Sequence, residues 1–260
     1  MAENILNIQP IAIAFTAGVL PALVWLLFWL REDRASPEPK GLITLSFAAG
    51  MAVVYFVLPL QKLIATGLPD IMHILNILGN AWAIVVPPDK TVETFLMAFV
   101  EEFGKFATVF LVAYHTRDFD EPIDAVIYLI TAALGFVAME NTLYILKDIA
   151  NGGGIDAIIN GNLRFIGATI VHTASSALVG LALGFTFYGR YFLKILAGAI
   201  GLLLATLLHT YFNLSIIEAR GIMSALIIFA PFWAAIMGII ILLELVKQIK
   251  PSLNKNSSTL

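Results

Sequence analysis

The chain has 260 residues, of which 60% are hydrophobic and only 13% carry a charge. Because a soluble domain carries about 25% charged residues, this composition predicts a protein with several membrane-spanning helices. The formal net charge of −3 gives no reason to expect nucleic acid, and the lack of cysteine excludes disulfides, thiolate metal sites and a cysteine nucleophile.

Seven apolar runs are long enough to cross a bilayer, which takes about 20 residues of helix. The N-terminus has neither a positively charged region nor a small-residue cleavage site, so we expect the first run to stay in the membrane. In chain order the runs are 10–30, 41–60, 91–114, 123–144, 164–188, 195–217 and 222–245. They predict an all-α fold, a polytopic transmembrane helix bundle of about seven or eight membrane helices.

Whether the chain has seven or eight membrane helices depends on the segment 71–86. It is short for a span, and its polar residues His73, Asn76 and Asn80 share one helical face. We interpret it as an amphipathic helix on the membrane surface, with an eighth span or a re-entrant segment as alternatives. The chain then divides into N-terminal membrane helices with this interfacial segment (1–90), a catalytic core of four membrane helices (91–217), and a last helix with a polar tail (218–260).

The distribution of lysine and arginine predicts the orientation. With the N-terminus outside, the inner loops and tail hold about twice as many of these residues as the outer loops. The densest cluster directly follows the first run. We therefore expect the N-terminus outside and the C-terminus in the cytoplasm of a multi-pass protein of the cell membrane.

Three charges interrupt the middle of the third run. Glu101 and Glu102 lie about 15 Å below the outer surface, and Lys105, one turn further along, can partly neutralise them. Single polar residues in membrane helices often serve as hydrogen-bonding contacts between helices. Two adjacent acids at this depth are hard to explain in that way, and we interpret them as functional.

The next three runs bring further polar residues to a similar depth on the same side. Glu140 and Asn141 fall near the outer end of the fourth run, and His172 lies about 12 Å down the fifth. His209 and Asn213 follow in the outer half of the sixth. We expect four central helices to form an active-site cavity in the extracytoplasmic half of the membrane.

Glutamate, histidine and asparagine without cysteine suit the activation of water. Either Glu101 or Glu102 would act as general base for a water that attacks a peptide carbonyl. The resulting oxyanion would accept hydrogen bonds from His172, His209 or Asn213. The sequence leaves open which glutamate is the base.

A zinc mechanism uses the same groups. His172, His209 and either Glu101 or Glu102 would bind Zn²⁺, with the other glutamate as base. Glu140 would then accept a hydrogen bond from a zinc-bound histidine. A lysine beside a dication is unfavourable, so the sequence leans slightly towards a metal-free mechanism. The main alternative function is a proton- or ion-coupled membrane transporter, which also buries such a cluster, and a non-catalytic scaffold is the second.

Four motifs, in chain order, resemble those of the PrsW family of intramembrane proteases, which is related to the type II CAAX prenyl endopeptidases and the glutamate intramembrane proteases. "EEFGK" is similar to its E-E-x-x-K, "GFVAMEN" to its G-F-x-x-x-E-N, "RFIGATIVH" to its arginine-then-histidine element, and "HTYFN" to its H-x-x-x-N. Through these motifs the resemblance implies functional roles for nine residues: Glu101, Glu102, Lys105, Glu140, Asn141, Arg164, His172, His209 and Asn213.

The resemblance implies a membrane-embedded endopeptidase that hydrolyses a membrane-tethered protein. In the best-known role of the family the substrate is an anti-sigma factor, cut at its extracytoplasmic side. The family is often labelled a metalloprotease, so a Zn²⁺ cofactor stays open. We assign Lys105, Asn141 and Arg164 to charge tuning or substrate orientation.

Overall fold

The computed structural model describes residues 8–34, 36–82, 89–152, 154–218 and 222–251. Within these ranges the chain forms seven α-helices and no strand, which confirms the predicted all-α fold. The helices are α1 (Ile8–Trp29), α2 (Lys40–Trp82), α3 (Asp89–Val112), α4 (Asp124–Ala150), α5 (Gly154–Phe185), α6 (Tyr191–Glu218) and α7 (Ile222–Lys247).

Six of these helices, all except α3, are long and apolar enough to cross a membrane. The exception has 24 residues, so its length is sufficient. Its charges set it apart, because six acidic and basic residues lie along it: Asp89, Lys90, Glu93, Glu101, Glu102 and Lys105. The helix that carries the most charge is therefore the one that carries the predicted catalytic pair.

Helix α4 is the centre of the bundle. It packs most extensively against α1, α2 and α5, and every residue from Asp124 to Ala138 is buried. Apart from Asp124, Tyr128 and Thr131 this stretch is apolar on all sides, as expected for a helix surrounded by other helices. Helix α3 packs against α2 and α6, and α5 packs against α6.

Helices α2 and α4 approach each other through two glycines. A Cβ on Gly50 would lie 2.1 Å from the carbonyl oxygen of Ala132, and one on Gly135 would lie 2.0 Å from that of Phe47. Small residues allow membrane helices to pack backbone against backbone. This contact fixes α2 beside the helices that carry the polar residues.

The segment 71–86 does not form a helix of its own. Its described part continues α2 as far as Trp82, while residues 83–88 lie outside the described ranges. At 43 residues α2 is about 64 Å long, roughly twice the thickness of the hydrocarbon core. Part of α2 must therefore lie outside the hydrocarbon, and the interfacial position of this segment stays a prediction.

Candidate active site

Glu102 and Lys105 form an ion pair inside the bundle. They lie one turn apart on α3, and Lys105 Nζ is 2.5 Å from Glu102 Oε1. Both side chains are almost completely buried, with exposed fractions of 0% and 1%. A buried charge is tolerated only when it is paired and hydrogen-bonded, and the spacing of these two residues provides the pairing within one helix.

The same oxygen of Glu102 contacts His209 on α6. Its distance to His209 Nδ1 is 2.7 Å, so Nδ1 carries a hydrogen and donates it to the carboxylate. In the neutral ring Nε2 then carries the lone pair. This Nε2 lies 3.6 Å from Oε2 of Glu101, so the second glutamate faces the free nitrogen of His209.

His172 on α5 uses both of its ring nitrogens. Nδ1 lies 2.9 Å from Lys105 Nζ, and Nε2 lies 3.1 Å from Oε2 of Glu140 on α4. An ammonium group only donates hydrogen bonds, so Nδ1 must accept and the ring hydrogen lies on Nε2, which donates it to Glu140. Lys105 therefore joins Glu102 to His172 and determines the tautomer of that histidine.

Glu101 has a partner that the sequence did not indicate. Its Oε1 accepts a hydrogen bond of 2.6 Å from Nε2 of Gln61 on α2. Its Oε2 is buried and has no hydrogen-bond partner among the described residues. Gln61 gave no signal in the sequence because it is a lone amide at the end of an apolar run, next to Lys62, where a polar residue normally marks a loop.

A cavity of about 730 Å³ lies against this cluster. The size is within the range of sites that bind small molecules or short peptide segments. Five of the predicted site residues line it: Glu101, Glu140, His172, His209 and Asn213. Gln61 also lines it, so α2 adds a fifth helix to the four that the sequence predicted. Glu102 and Lys105 do not line the cavity and lie behind its wall.

The rest of the cavity wall is mainly apolar, with Thr94 and Tyr144 as polar exceptions and with charges nearer the helix ends. The apolar part is made by Val54, Leu58, Met97, Leu143, Ala168, Val171 and Phe212. Lys90 and Glu93 of α3 and Lys147 of α4 are the further charged residues that line it. The sequence reading did not include Glu93, which offers a third acid on the helix of the predicted pair.

Two predicted residues fall outside this arrangement. Asn141 is buried, its amide nitrogen has no hydrogen-bond partner among the described residues, and it is not one of the residues that line the cavity. Arg164 belongs to the part of α5 where side chains are not described. Their proposed roles in charge tuning or substrate orientation stay predictions.

The donor set of the predicted zinc site is present, but its hydrogen bonding does not suit three ligands. Glu101, His172 and His209 each offer one ligand atom, and these atoms lie within 4.8 Å of one another. Among the described residues, Glu101 Oε2 and His209 Nε2 have no hydrogen-bond partner and lie 3.6 Å from each other. The lone pair of His172, in contrast, accepts from Lys105, and its other nitrogen carries the hydrogen. In this arrangement the residues do not fit zinc.

A second polar cluster lies at the other end of α4. Tyr128 donates a hydrogen bond to Glu38, and the backbone N–H of Glu38 donates to Asp33 at 3.3 Å. Asp124 accepts two backbone hydrogen bonds from the preceding loop. Burial, together with the nearby charge of Asp124, raises the pKa of Asp33 to about 6, and burial also raises the pKa of Glu38. These residues tie the α1–α2 loop to the start of α4, far from the glutamate pair.

The fold and the buried cluster define a multi-pass membrane protein with a glutamate–histidine centre facing a cavity. The family described as PrsW family intramembrane metalloprotease matches residues 38–236, and the chain belongs to this family. This confirms the resemblance that the four motifs indicated. The match begins just before α2 and ends within α7, so it includes every helix of the cluster.

Named relatives agree with this assignment. The chain is 28% identical to Protease PrsW of Geobacillus kaustophilus over 85% of this chain and 88% of the relative. Protease PrsW of Oceanobacillus iheyensis is 27% identical over 84% and 87%, and that of Bacillus subtilis 25% identical over 65% of each. No solved structure gives a significant match. The chain is therefore an intramembrane peptidase, and the transporter reading is not favoured.

Proposed function

We propose that the protein is an endopeptidase that hydrolyses a peptide bond of a membrane-tethered protein, with Glu101 as the general base. The observation that supports this is the difference between the two adjacent glutamates. Glu101 lines the cavity and has a free oxygen, whereas Glu102 is neutralised behind the wall by Lys105 and bonded to His209. Each of the two has one oxygen without a hydrogen-bond partner among the described residues, so access to the cavity is what separates them.

The reaction follows from these contacts. A water in the cavity transfers a proton to the carboxylate of Glu101 while its oxygen bonds to the carbonyl carbon of the substrate. The side-chain amide of Asn213 lines the same cavity and donates to the oxyanion that forms. When the C–N bond breaks, Glu101 returns the proton to the leaving amine, so the enzyme regains its starting state.

The other polar residues hold this geometry. Glu102 fixes His209 through Nδ1, so that Nε2 faces Glu101 at 3.6 Å. His172 donates to Glu140, which keeps that carboxylate at the cavity wall. Lys105 connects both histidines to α3, directly for His172 and through Glu102 for His209. The described hydrogen bonds of this network restrict the movement of both histidines.

The mechanism that we propose uses no metal. The lone pair of His172 accepts a hydrogen bond from Lys105, so this nitrogen is not available to bind a cation. A bound Zn²⁺ would supply Lewis-acid polarisation of the carbonyl, and it would require Lys105 to leave that nitrogen. The substrate class and the side of cleavage rest on the predicted orientation and on the family. We propose cleavage in the extracytoplasmic half of the membrane, with an anti-sigma factor as the type of substrate to test first.

The test compares variants of the glutamates on α3 in liposomes that contain a labelled single-span protein cleaved by the wild type. Glu101→Gln should fold normally and lose cleavage by about 100-fold or more, the usual effect of removing a general base. Glu93→Gln is the matched control, because Glu93 lines the same cavity from the same helix but has no hydrogen bond or ion pair with the cluster among the described residues. Wild-type cleavage by Glu101→Gln would refute the assignment.

Glu102→Gln distinguishes the two glutamates further. It removes the partner of Lys105 and of His209, so we expect lower thermal stability together with lower activity, because breaking a buried ion pair typically costs about 3–5 kcal/mol. Glu101→Gln should lose activity at unchanged stability. The opposite pattern would make Glu102 the base.

A further inference from the structure

Gln61 is the one side chain of α2 that reaches the glutamate pair through a described hydrogen bond. Its Nε2 lies 2.6 Å from Oε1 of Glu101, although 40 residues separate the two in the chain. It also lines the cavity that holds the proposed base. The bond therefore joins a helix outside the predicted core to the centre of the site.

The chemistry of an amide suits this place. The terminal torsion of a glutamate is broad, so an unrestrained carboxylate turns easily and presents either oxygen. A donor on Oε1 stops this rotation and leaves Oε2 free, at 3.6 Å from His209 Nε2. An amide does so without bringing a positive charge, which would stabilise the ionised carboxylate and reduce its basicity.

The packing of α2 makes the contact a fixed one. Gly50, eleven residues earlier on α2, touches the backbone of α4 at Ala132, and α2 packs along α3 as well. Because the backbone of α2 is held at this crossing, the packing of the helices determines where Gln61 lies. Reacting groups must be held within a fraction of an ångström, and a displacement of about 1 Å can cost roughly 100-fold in rate.

We infer that Gln61 is a positioning residue that holds the carboxylate of Glu101 in one rotation at the cavity wall, with Oε2 turned towards His209. This inference rests on the proposed role of Glu101. A purely structural residue at this place would instead stabilise the contact between α2 and α3. The two roles affect different quantities, which the following experiment separates.

The experiment measures kcat, KM and thermal unfolding of variants in liposomes, with the same labelled single-span protein as substrate. Gln61→Met removes the donor at similar size and should lower kcat on the order of 10-fold with KM and the unfolding temperature close to wild type. Gln61→His retains an N–H donor and should recover a large part of the lost kcat. Thr66→Val is the control on the same helix, since Thr66 is exposed and bonds only its own helix backbone.

Each outcome decides the inference. Unchanged kcat in Gln61→Met would overturn it, as would a loss of kcat accompanied by an equal loss of stability in both Gln61 variants. A histidine variant no more active than the methionine variant, at wild-type stability, would also contradict it. If Glu101→Gln is inactive while Gln61→Met is fully active, only the positioning role fails. If Glu101→Gln is active, the proposed function itself fails.

Discussion

Lys105 is the residue that organises the site. Its side chain is fully buried, and its ammonium bonds Glu102 at 2.5 Å and His172 at 2.9 Å. A lysine in such surroundings is stable only with this full set of partners. Because it donates to the lone pair of His172, it also determines whether that histidine can bind a metal. The hydrogen bond from Lys105 thus bears on whether the enzyme uses a metal.

This contact predicts the behaviour of the purified protein towards chelators. We expect a zinc content well below one ion per chain and full cleavage after prolonged chelation, because two free ligands hold zinc much more weakly than three. Metal analysis of the protein, together with cleavage before and after treatment, measures both. A parallel sample treated with the same chelator already saturated with zinc is the control. Stoichiometric zinc, with activity lost on chelation and restored by zinc, would establish the zinc mechanism instead.

At the scale of helices, the contact between α2 and α4 determines the geometry of the cavity wall. It depends on Gly50 and Gly135, each of which lies against a carbonyl group of the other helix. The cavity then receives Val54, Leu58 and Gln61 from the following turns of α2. A change at the crossing should therefore affect both stability and cleavage.

A pair of glycine variants tests this helix contact. Gly50→Ala places a Cβ 2.1 Å from the oxygen of Ala132 and should destabilise the protein by about 1–3 kcal/mol, the usual cost of overpacking. Gly67→Ala on the same helix has nothing within 4 Å of the new Cβ and should be neutral or stabilising by up to about 1 kcal/mol. Thermal unfolding in detergent compares the two. Equal stability of both variants would contradict a tight crossing.

At the scale of the whole molecule, the number of membrane crossings decides where the site opens. Six helices are apolar enough to span, and α3 is the charged exception. If α3 crosses as well, the count is odd and the termini lie on opposite sides. From the basic residues of the loops we then expect the N-terminus outside, the end of α4 outside and the C-terminus in the cytoplasm.

Reporter fusions measure this arrangement. We expect a reporter before Met1 and one inserted between Asn151 and Gly152, both exposed after α4, to report the outside. A reporter after Leu260 should report the cytoplasm. Termini on the same side would show that α3 does not cross. A complete reversal would place the end of α4, and with it the cavity, on the cytoplasmic side.

The sequence by itself determined the fold class, the family and most residues of the buried cluster. Apolar runs of bilayer length indicated the helices, and depth counted along each helix brought Glu101, Glu140, His172 and His209 to one level. The ion pair of Glu102 and Lys105 could be predicted because residues three apart on a helix are neighbours. These features depend on length, composition and spacing within single helices, which the chain specifies locally.

The tertiary structure alone decided which glutamate faces the cavity, which tautomer His172 adopts, and that Gln61 belongs to the site. Adjacent residues of a helix point about 100° apart, so Glu101 and Glu102 cannot both face the cavity. The rotation of α3 selects one of them, and packing against α2 and α6 fixes that rotation. The bond from Gln61 spans 40 residues between two helices. No periodicity within either helix encodes it, because it depends on the packing of α2 against α3.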